Sequence, residues 1–191
     1  MSHRVISGSA KGRRLKGGVS GTRPIMDRAK EALFNILGVS IYQARILDLF
    51  AGTGAVGIEA LSRGAAWCTF VDANGGAIAV IHENLRTTNL ADRATVQRAD
   101  AFQHLRHPPQ APYSLIYIAP PQYEGLWKRA ILTIDAHPAT WLEPDGMVVV
   151  QIDPNEQESV PIQHLTAFDE RTYGNTLLWF FEYIDYTVEH E

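Results

Sequence analysis

The chain has 191 residues, of which 46% are hydrophobic and 20% charged, and its formal net charge is −4. This length and composition predict one globular domain large enough to bury a core. No apolar run reaches the roughly 20 residues needed to cross a membrane, and the basic N-terminus lacks the apolar stretch of a secretory signal. A single cysteine, Cys68, excludes an internal disulfide framework and a multi-cysteine metal site. These features predict a soluble, cytoplasmic protein, monomeric by default.

The charge is unevenly distributed. Residues 1–30 carry eight basic side chains (Arg4, Lys11, Arg13, Arg14, Lys16, Arg23, Arg28 and Lys30) against one acid, Asp27, whereas the remainder carries nine basic and twenty acidic residues. A basic arm on an acidic body fits contact with a polyanion, or simply a solvated terminus. Residues 3–7 and 13–15 are expected to form a short hairpin around Gly8–Gly12. Residues 1–24 would be the basic arm and 25–191 the main domain. Pro24 sits at a helix start. Ala29, Ala32, Leu33, Ile36 and Leu37 recur at helical spacing within Asp27–Leu37, and Gly38 stops that helix.

Residues 46–57, ILDLFAGTGAVG, form the most informative stretch. An apolar strand ends there in a glycine-rich turn that leads into a helix. Such a turn exposes backbone N–H groups and lets a ligand approach closely. Further strands are expected at 67–72, 94–97, 113–118 and 146–152, and helices at 55–63, 75–88, 101–106 and 125–136. Alternating strands and helices predict a parallel sheet. Residues 164–172 and 176–184 flank Tyr173-Gly174-Asn175 and must pair antiparallel. A mostly parallel seven-stranded sheet closed by a C-terminal antiparallel hairpin is the α/β, Rossmann-like outline of a class I methyltransferase.

The site candidates follow the carboxyl edge of that sheet. Gly52-Thr53-Gly54-Ala55-Val56-Gly57 satisfies G-x-G-x-x-G, so a nicotinamide site is an alternative; the pattern alone does not separate it from S-adenosylmethionine. Asp72, ending the second strand, can accept from ribose hydroxyls common to both cofactors, or stand as a solvated acid. Asp100 can accept from an adenine amino group, with Phe102 near the ring, and can also cap a helix. Ala119-Pro120-Pro121-Gln122-Tyr123 ends the fourth strand in a rigid, carbonyl-presenting turn. Cys68 lies in an apolar strand pattern and reads as a core thiol. The histidines show no metal-ligand spacing, and no metal is expected.

The sequence resembles the bacterial 16S ribosomal RNA guanine-N2 methyltransferase family (RsmD-like). The resemblance is carried by RVISG and KGRRL within 4–15, TRP, DR and EALFN within 22–35, LDLFAGTGAVGIEALSRG at 47–64, the prolines after the fourth strand and YGNTLL at 173–178. It implies S-adenosylmethionine as methyl donor and the exocyclic N2 of a guanine in small-subunit RNA as acceptor. The loop from Asp48 through Phe50, Ala51, Gly52, Thr53 and Gly54 to Gly57 would then hold the methionine portion. Asp72 and Ala73 would hold ribose, and Asp100, Ala101 and Phe102 the adenine. Arg4, Lys11, Arg13, Arg14, Lys16, Arg23 and Arg28 would contact RNA phosphates. The family pattern after the fourth strand is Asp-Pro-Pro followed by Phe or Tyr; here Ala119 replaces the Asp and Gln122 precedes Tyr123. Three readings result: an active methyltransferase in which the Pro120 carbonyl and Gln122 accept from the guanine amino group and Tyr123 stacks on the base; a non-catalytic cofactor- and RNA-binding protein; and a nicotinamide-dependent oxidoreductase.

Overall fold

The computed structural model describes residues 3–18 and 25–184. Pro24, Arg23 and the glycine at 21 lie outside the described residues. The N-terminal hairpin pairs β1 (His3–Arg4) antiparallel with β2 (Arg14–Leu15). The body then runs α1 (Asp27–Leu37), β3 (Arg45–Leu49), α2 (Ala55–Ser62), β4 (Trp67–Asp72), α3 (Gly75–Thr88), β5 (Ala94–Arg98), α4 (Ala101–His104), β6 (Tyr113–Ile118), α5 (Leu126–Asp135), α6 (Pro138–Trp141), β7 (Leu142–Ile152), β8 (Leu165–Tyr173) and β9 (Thr176–Tyr183). The seven-stranded sheet has the order β5-β4-β3-β6-β7-β9-β8. Strands β3 to β7 pair parallel, and β9 runs antiparallel to both of its neighbours. This is the Rossmann-like methyltransferase architecture.

Strand residues alternate between two cores, as period-2 geometry requires. Ile46, Phe70 and Val149 join the core beneath α1, α2 and α3. Leu47, Leu49, Val71 and Val148 join the core beneath α4, α5 and α6. Differences from the sequence reading are local. Strand β7 begins at Leu142 rather than 146, although Pro144 and a left-handed Asp145 interrupt its apolar pattern. Helix α4 ends at His104, and α6 has no counterpart in the periodicity. On α1, Ala29, Leu33 and Leu37 are buried as expected, but Phe34 and Lys30 complete the buried face while Ile36 is exposed.

The hairpin is packed into the body. Val5, Ala10 and Leu15 belong to the core under α1–α3. Gly8 has φ +82°, and a Cβ there would lie 1.8 Å from the Ser62 carbonyl oxygen, so only glycine allows this approach to α2. Ser9 N–H donates to that carbonyl (2.8 Å). Ala10 N–H donates to Ser62 Oγ (2.9 Å), and that hydroxyl donates to the Ser7 carbonyl (2.6 Å). The buried Glu59 carboxylate accepts from the N–H groups of Ile6 (2.8 Å) and Ser7 (3.0 Å) and from Arg63 Nε (2.8 Å). Lys30, fully buried, pairs with Glu59 at 3.5 Å and donates to the Arg4 carbonyl at 2.7 Å. Burial pulls the Lys30 ammonium below its ordinary pKa, and Glu59 opposes that. A lone buried charge costs several kcal/mol, so this cluster is tolerated because each member is paired.

Candidate active site

A cleft of about 350 Å³ opens at the carboxyl ends of the parallel strands. It lies where the strand order reverses, with β4 on one side of β3 and β6 on the other, the usual ligand position in open α/β sheets.

One half is built on β3, β4 and β5. Phe50, Gly52 and Gly54 leave β3 with positive φ values of 68°, 56° and 74°. For Phe50 this is a strained conformation that its surroundings must enforce. Ala51 N–H donates to the Val71 carbonyl (2.9 Å), and Gly52 N–H to Asp72 Oδ2 (2.8 Å). The other Asp72 oxygen accepts from Asn74 N–H (2.8 Å). Asp72 therefore both braces the turn and presents a carboxylate to the cleft. Asp48, 2% exposed, also lines the cleft and accepts from Gly57 N–H (3.1 Å). Burial pushes its carboxyl up to about 7; the Gly57 bond opposes this and the Asp72 charge adds to it. Asp100 caps α4 through one oxygen, which accepts from the N–H groups of Phe102 (2.9 Å) and Gln103 (3.0 Å), and it lines the cleft as well.

The other half is built on β6, β7 and the loop after β6. Ala119, Pro120, Pro121 and Gln122 form one wall, and Tyr117, Gln151, Ile152 and Thr176 complete it. Tyr117 donates its hydroxyl proton to Gln151 Oε1. Burial raises that hydroxyl well above its ordinary pKa, and the nearby Asp48 charge adds to the effect. None of these lining residues is a carboxylate.

The cleft thus brings together Asp48, Phe50, Ala51, Gly52, Thr53, Asp72, Ala73, Asp100 and Ala101 with Ala119, Pro120, Pro121 and Gln122. Four predicted residues are placed otherwise. Gly54 and Gly57 do not line it. A Cβ at Gly57 would come within 2.3 Å of the Phe70 ring and 2.6 Å of Cys68 Sγ, so Gly57 lets α2 lie close on β4. Phe102 turns its ring away, beneath the Arg129 guanidinium (3.7 Å to the centroid) and edge-on to Phe50. Tyr123, 65% exposed with φ +61°, sits outside the lining, its N–H donating to Glu156 Oε2 (2.7 Å). Cys68 is buried in the core, where burial pushes its thiol up.

Arg4, Lys11, Arg13, Arg14, Lys16 and Arg28 are exposed. Lys16 pairs with Glu83 at 2.7 Å and Arg4 with Asp27 at 3.9 Å. Among the described residues no group of three or more His, Cys, Asp or Glu is placed to hold a metal ion, and no helix is long and apolar enough to cross a membrane. The sequence reading missed Asn74, Tyr117, Gln151 and Thr176. For Gln151 a signal existed, since it is a polar residue closing the apolar run of β7.

A family profile described as "Conserved hypothetical protein 95" matches residues 3–182. The chain belongs to this family. It is 41% identical over 177 residues to "Putative rRNA methyltransferase YlbH" of Bacillus subtilis, covering 91% of this chain and 95% of that relative. It is 35% identical over 149 residues to "Ribosomal RNA small subunit methyltransferase D" of Escherichia coli K12, covering 78% of this chain and 73% of that relative. Among solved structures, "Putative methyltransferase yhhF from Escherichia coli" superposes with a TM-score of 0.83 at 30% identity, over 96% of this chain and 99% of that one. The family is thus one with ribosomal RNA methyltransferases among its members, and its fold is that of S-adenosylmethionine-dependent methyltransferases. The β3–β5 half of the cleft fits that cofactor. It offers carboxylates at the ends of β4 and β5 for hydroxyl and amino donors, a buried carboxyl at Asp48, and apolar walls from Phe50, Ala73, Ala101 and Leu126.

Proposed function

We propose that this chain is an S-adenosylmethionine-dependent methyltransferase acting on the exocyclic N2 of a guanine in small-subunit (16S) ribosomal RNA. The observation that carries this reading is the cleft itself: an acidic half suited to the cofactor meets, at Ala119–Gln122, an uncharged half rich in acceptors. Family membership and the exposed basic hairpin support RNA as the partner.

When bound, the cofactor supplies an electrophilic methyl group on a sulfonium. In this reading Asp72 accepts from the ribose hydroxyls while it keeps Gly52 N–H in place. Asp100, its other oxygen engaged as a helix cap, has a second oxygen for an adenine amino group. Asp48 sets a negative or neutral charge near the methionine portion according to pH.

A guanine amino group is a poor nucleophile because its lone pair is delocalised into the ring. Acceptors on its two N–H bonds turn the lone pair outward and stabilise the positive charge that develops at nitrogen. The Pro120 carbonyl and the Gln122 side-chain oxygen take those roles here, in place of the family carboxylate that Ala119 lacks. A guanine within folded RNA must be extruded to reach the cleft, and Tyr123, exposed at its edge, offers a ring for stacking.

One observation favours a second reading. The acceptor half carries no carboxylate, as a protein that binds cofactor and RNA without transferring methyl would allow. Transfer of labelled methyl to small subunits lacking the modification, by wild type and Ala119→Asp side by side, separates the two. Label on guanine N2 with wild type supports the enzyme. Label with the Asp variant alone supports the non-catalytic binder, and label with neither refutes the guanine-N2 assignment.

A further inference from the structure

The basic hairpin and the cofactor turn share one buried side chain, Asn84 of α3. It is 1% exposed and makes three hydrogen bonds to two distant segments. Its Oδ1 accepts from Lys16 N–H (2.7 Å), and its Nδ2 donates to the Lys16 carbonyl (3.1 Å) and to the Thr53 carbonyl (3.0 Å). The two Lys16 bonds hold the backbone where the hairpin leaves β2. The third fixes the peptide between Thr53 and Gly54, whose N–H donates to the Ala51 carbonyl (2.8 Å). Thr53 lines the cleft, and Lys16 is exposed and paired with Glu83, the residue before Asn84.

The geometry points to Asn84 as a positioning residue that couples RNA binding at the hairpin to cofactor binding in the cleft. The inference rests on the functional reading above. The turn from Phe50 to Gly54 holds three left-handed residues, including a strained phenylalanine, so its shape depends on outside restraint. Asn84 supplies part of that restraint, and it does so only while Lys16 holds the other end of its amide. Phosphate drawing Lys16 away from Glu83 acts on the same backbone that orients Asn84. Whichever ligand binds first orders groups that the other then finds already ordered, and linkage makes the effect reciprocal.

The test measures three affinities on the full chain: S-adenosylhomocysteine alone, unmodified 16S RNA transcript alone, and the transcript at saturating S-adenosylhomocysteine. In wild type the cofactor product should tighten RNA binding by about fivefold or more, the lower range of measured couplings. Asn84→Asp keeps the acceptor for Lys16 N–H but loses both donated bonds; its coupling should fall to within about twofold of unity. Coupling that survives in Asn84→Asp, or is absent in wild type that binds both probes, overturns the inference. A wild type that binds neither probe overturns the functional reading and this inference with it. Should Asn84→Asp fail to fold, amide hydrogen exchange in wild type decides. S-adenosylhomocysteine slows exchange at Lys16 N–H if the coupling is real, and leaves it unchanged if it is not.

Discussion

The two halves of the cleft are built by opposite means. The β3–β5 half places three carboxylates that each accept from a backbone N–H: Asp72 from Gly52 in the turn, Asp48 from Gly57 in α2 and Asp100 from Phe102 in α4. The β6–β7 half presents prolines, amides and hydroxyls, with Tyr117 bonded to Gln151, and among its lining residues no carboxylate. Carboxylates gather in the first half of the cleft and neutral acceptors in the second. The contrast teaches that the first half is organised by backbone hydrogen bonds to fixed charges, and the second by backbone rigidity.

The largest expected effect comes from the most buried of the charges. Asp48 binds a proton in the folded state up to about pH 7, whereas in the unfolded chain it titrates near 3.8. The folded protein thus binds more protons between those values. The Asp48 contribution is full below about pH 4 and declines by roughly 4 kcal/mol as the pH rises through 7. Urea melts of wild type and Asp48→Asn at about pH 5 and pH 8 check this. The wild-type decline should shrink in the variant, and equal slopes would dissociate Asp48 from it.

Next comes the acceptor half. Ala119→Asp should raise the rate of methyl transfer on the order of a hundredfold, the worth of one well-placed charge-assisted acceptor. The change should appear in kcat, leaving the KM for S-adenosylmethionine nearly as it was. Removing the Asp72 carboxylate, by Asp72→Ala, loses the brace on Gly52 and a ribose acceptor together. S-adenosylhomocysteine affinity should fall about 30-fold by calorimetry, equivalent to ~2 kcal/mol. The smallest effect lies outside the cleft: Arg13→Ala with Arg14→Ala should weaken RNA binding and lower its log–log salt slope by about 1 to 2, without changing cofactor affinity. An unchanged slope would remove these two arginines from the RNA contact.

Much of the β3–β5 half was legible in the sequence because its signals are local. Asp48 and the glycines share one strand–turn–helix unit, Asp72 ends an apolar strand run, and Asp100 follows a short predicted strand. The roles of Gly54, Gly57 and Phe102 were not legible. Whether a glycine serves a ligand or a close helix contact depends on what lies across it, here Phe70 and Cys68 of a different strand. Asn84 and Glu59 were hidden for a similar reason. Each is an ordinary polar residue in a helix, and the hairpin and turn backbone groups it binds lie 31 to 68 residues away along the chain. Lys30 was counted among the basic residues of 1–30, yet tertiary contacts bury it under the hairpin. Gln151 and Thr176 gain their place from sheet order, which periodicity does not encode.

That sheet order has a consequence for how the molecule is made. Strand β9 leaves the ribosome last among the strands but is wedged between β7 and β8. Until it arrives, β8 has no neighbour in the sheet, and β7 has an open edge that β9 will later fill. The β3–β5 half and the hairpin can assemble while the chain is still emerging. The wall bearing Thr176 closes only after synthesis has passed it. A nascent chain stalled before Thr176 would therefore carry Ala119–Gln122 and Gln151 but leave that wall of the cleft incomplete.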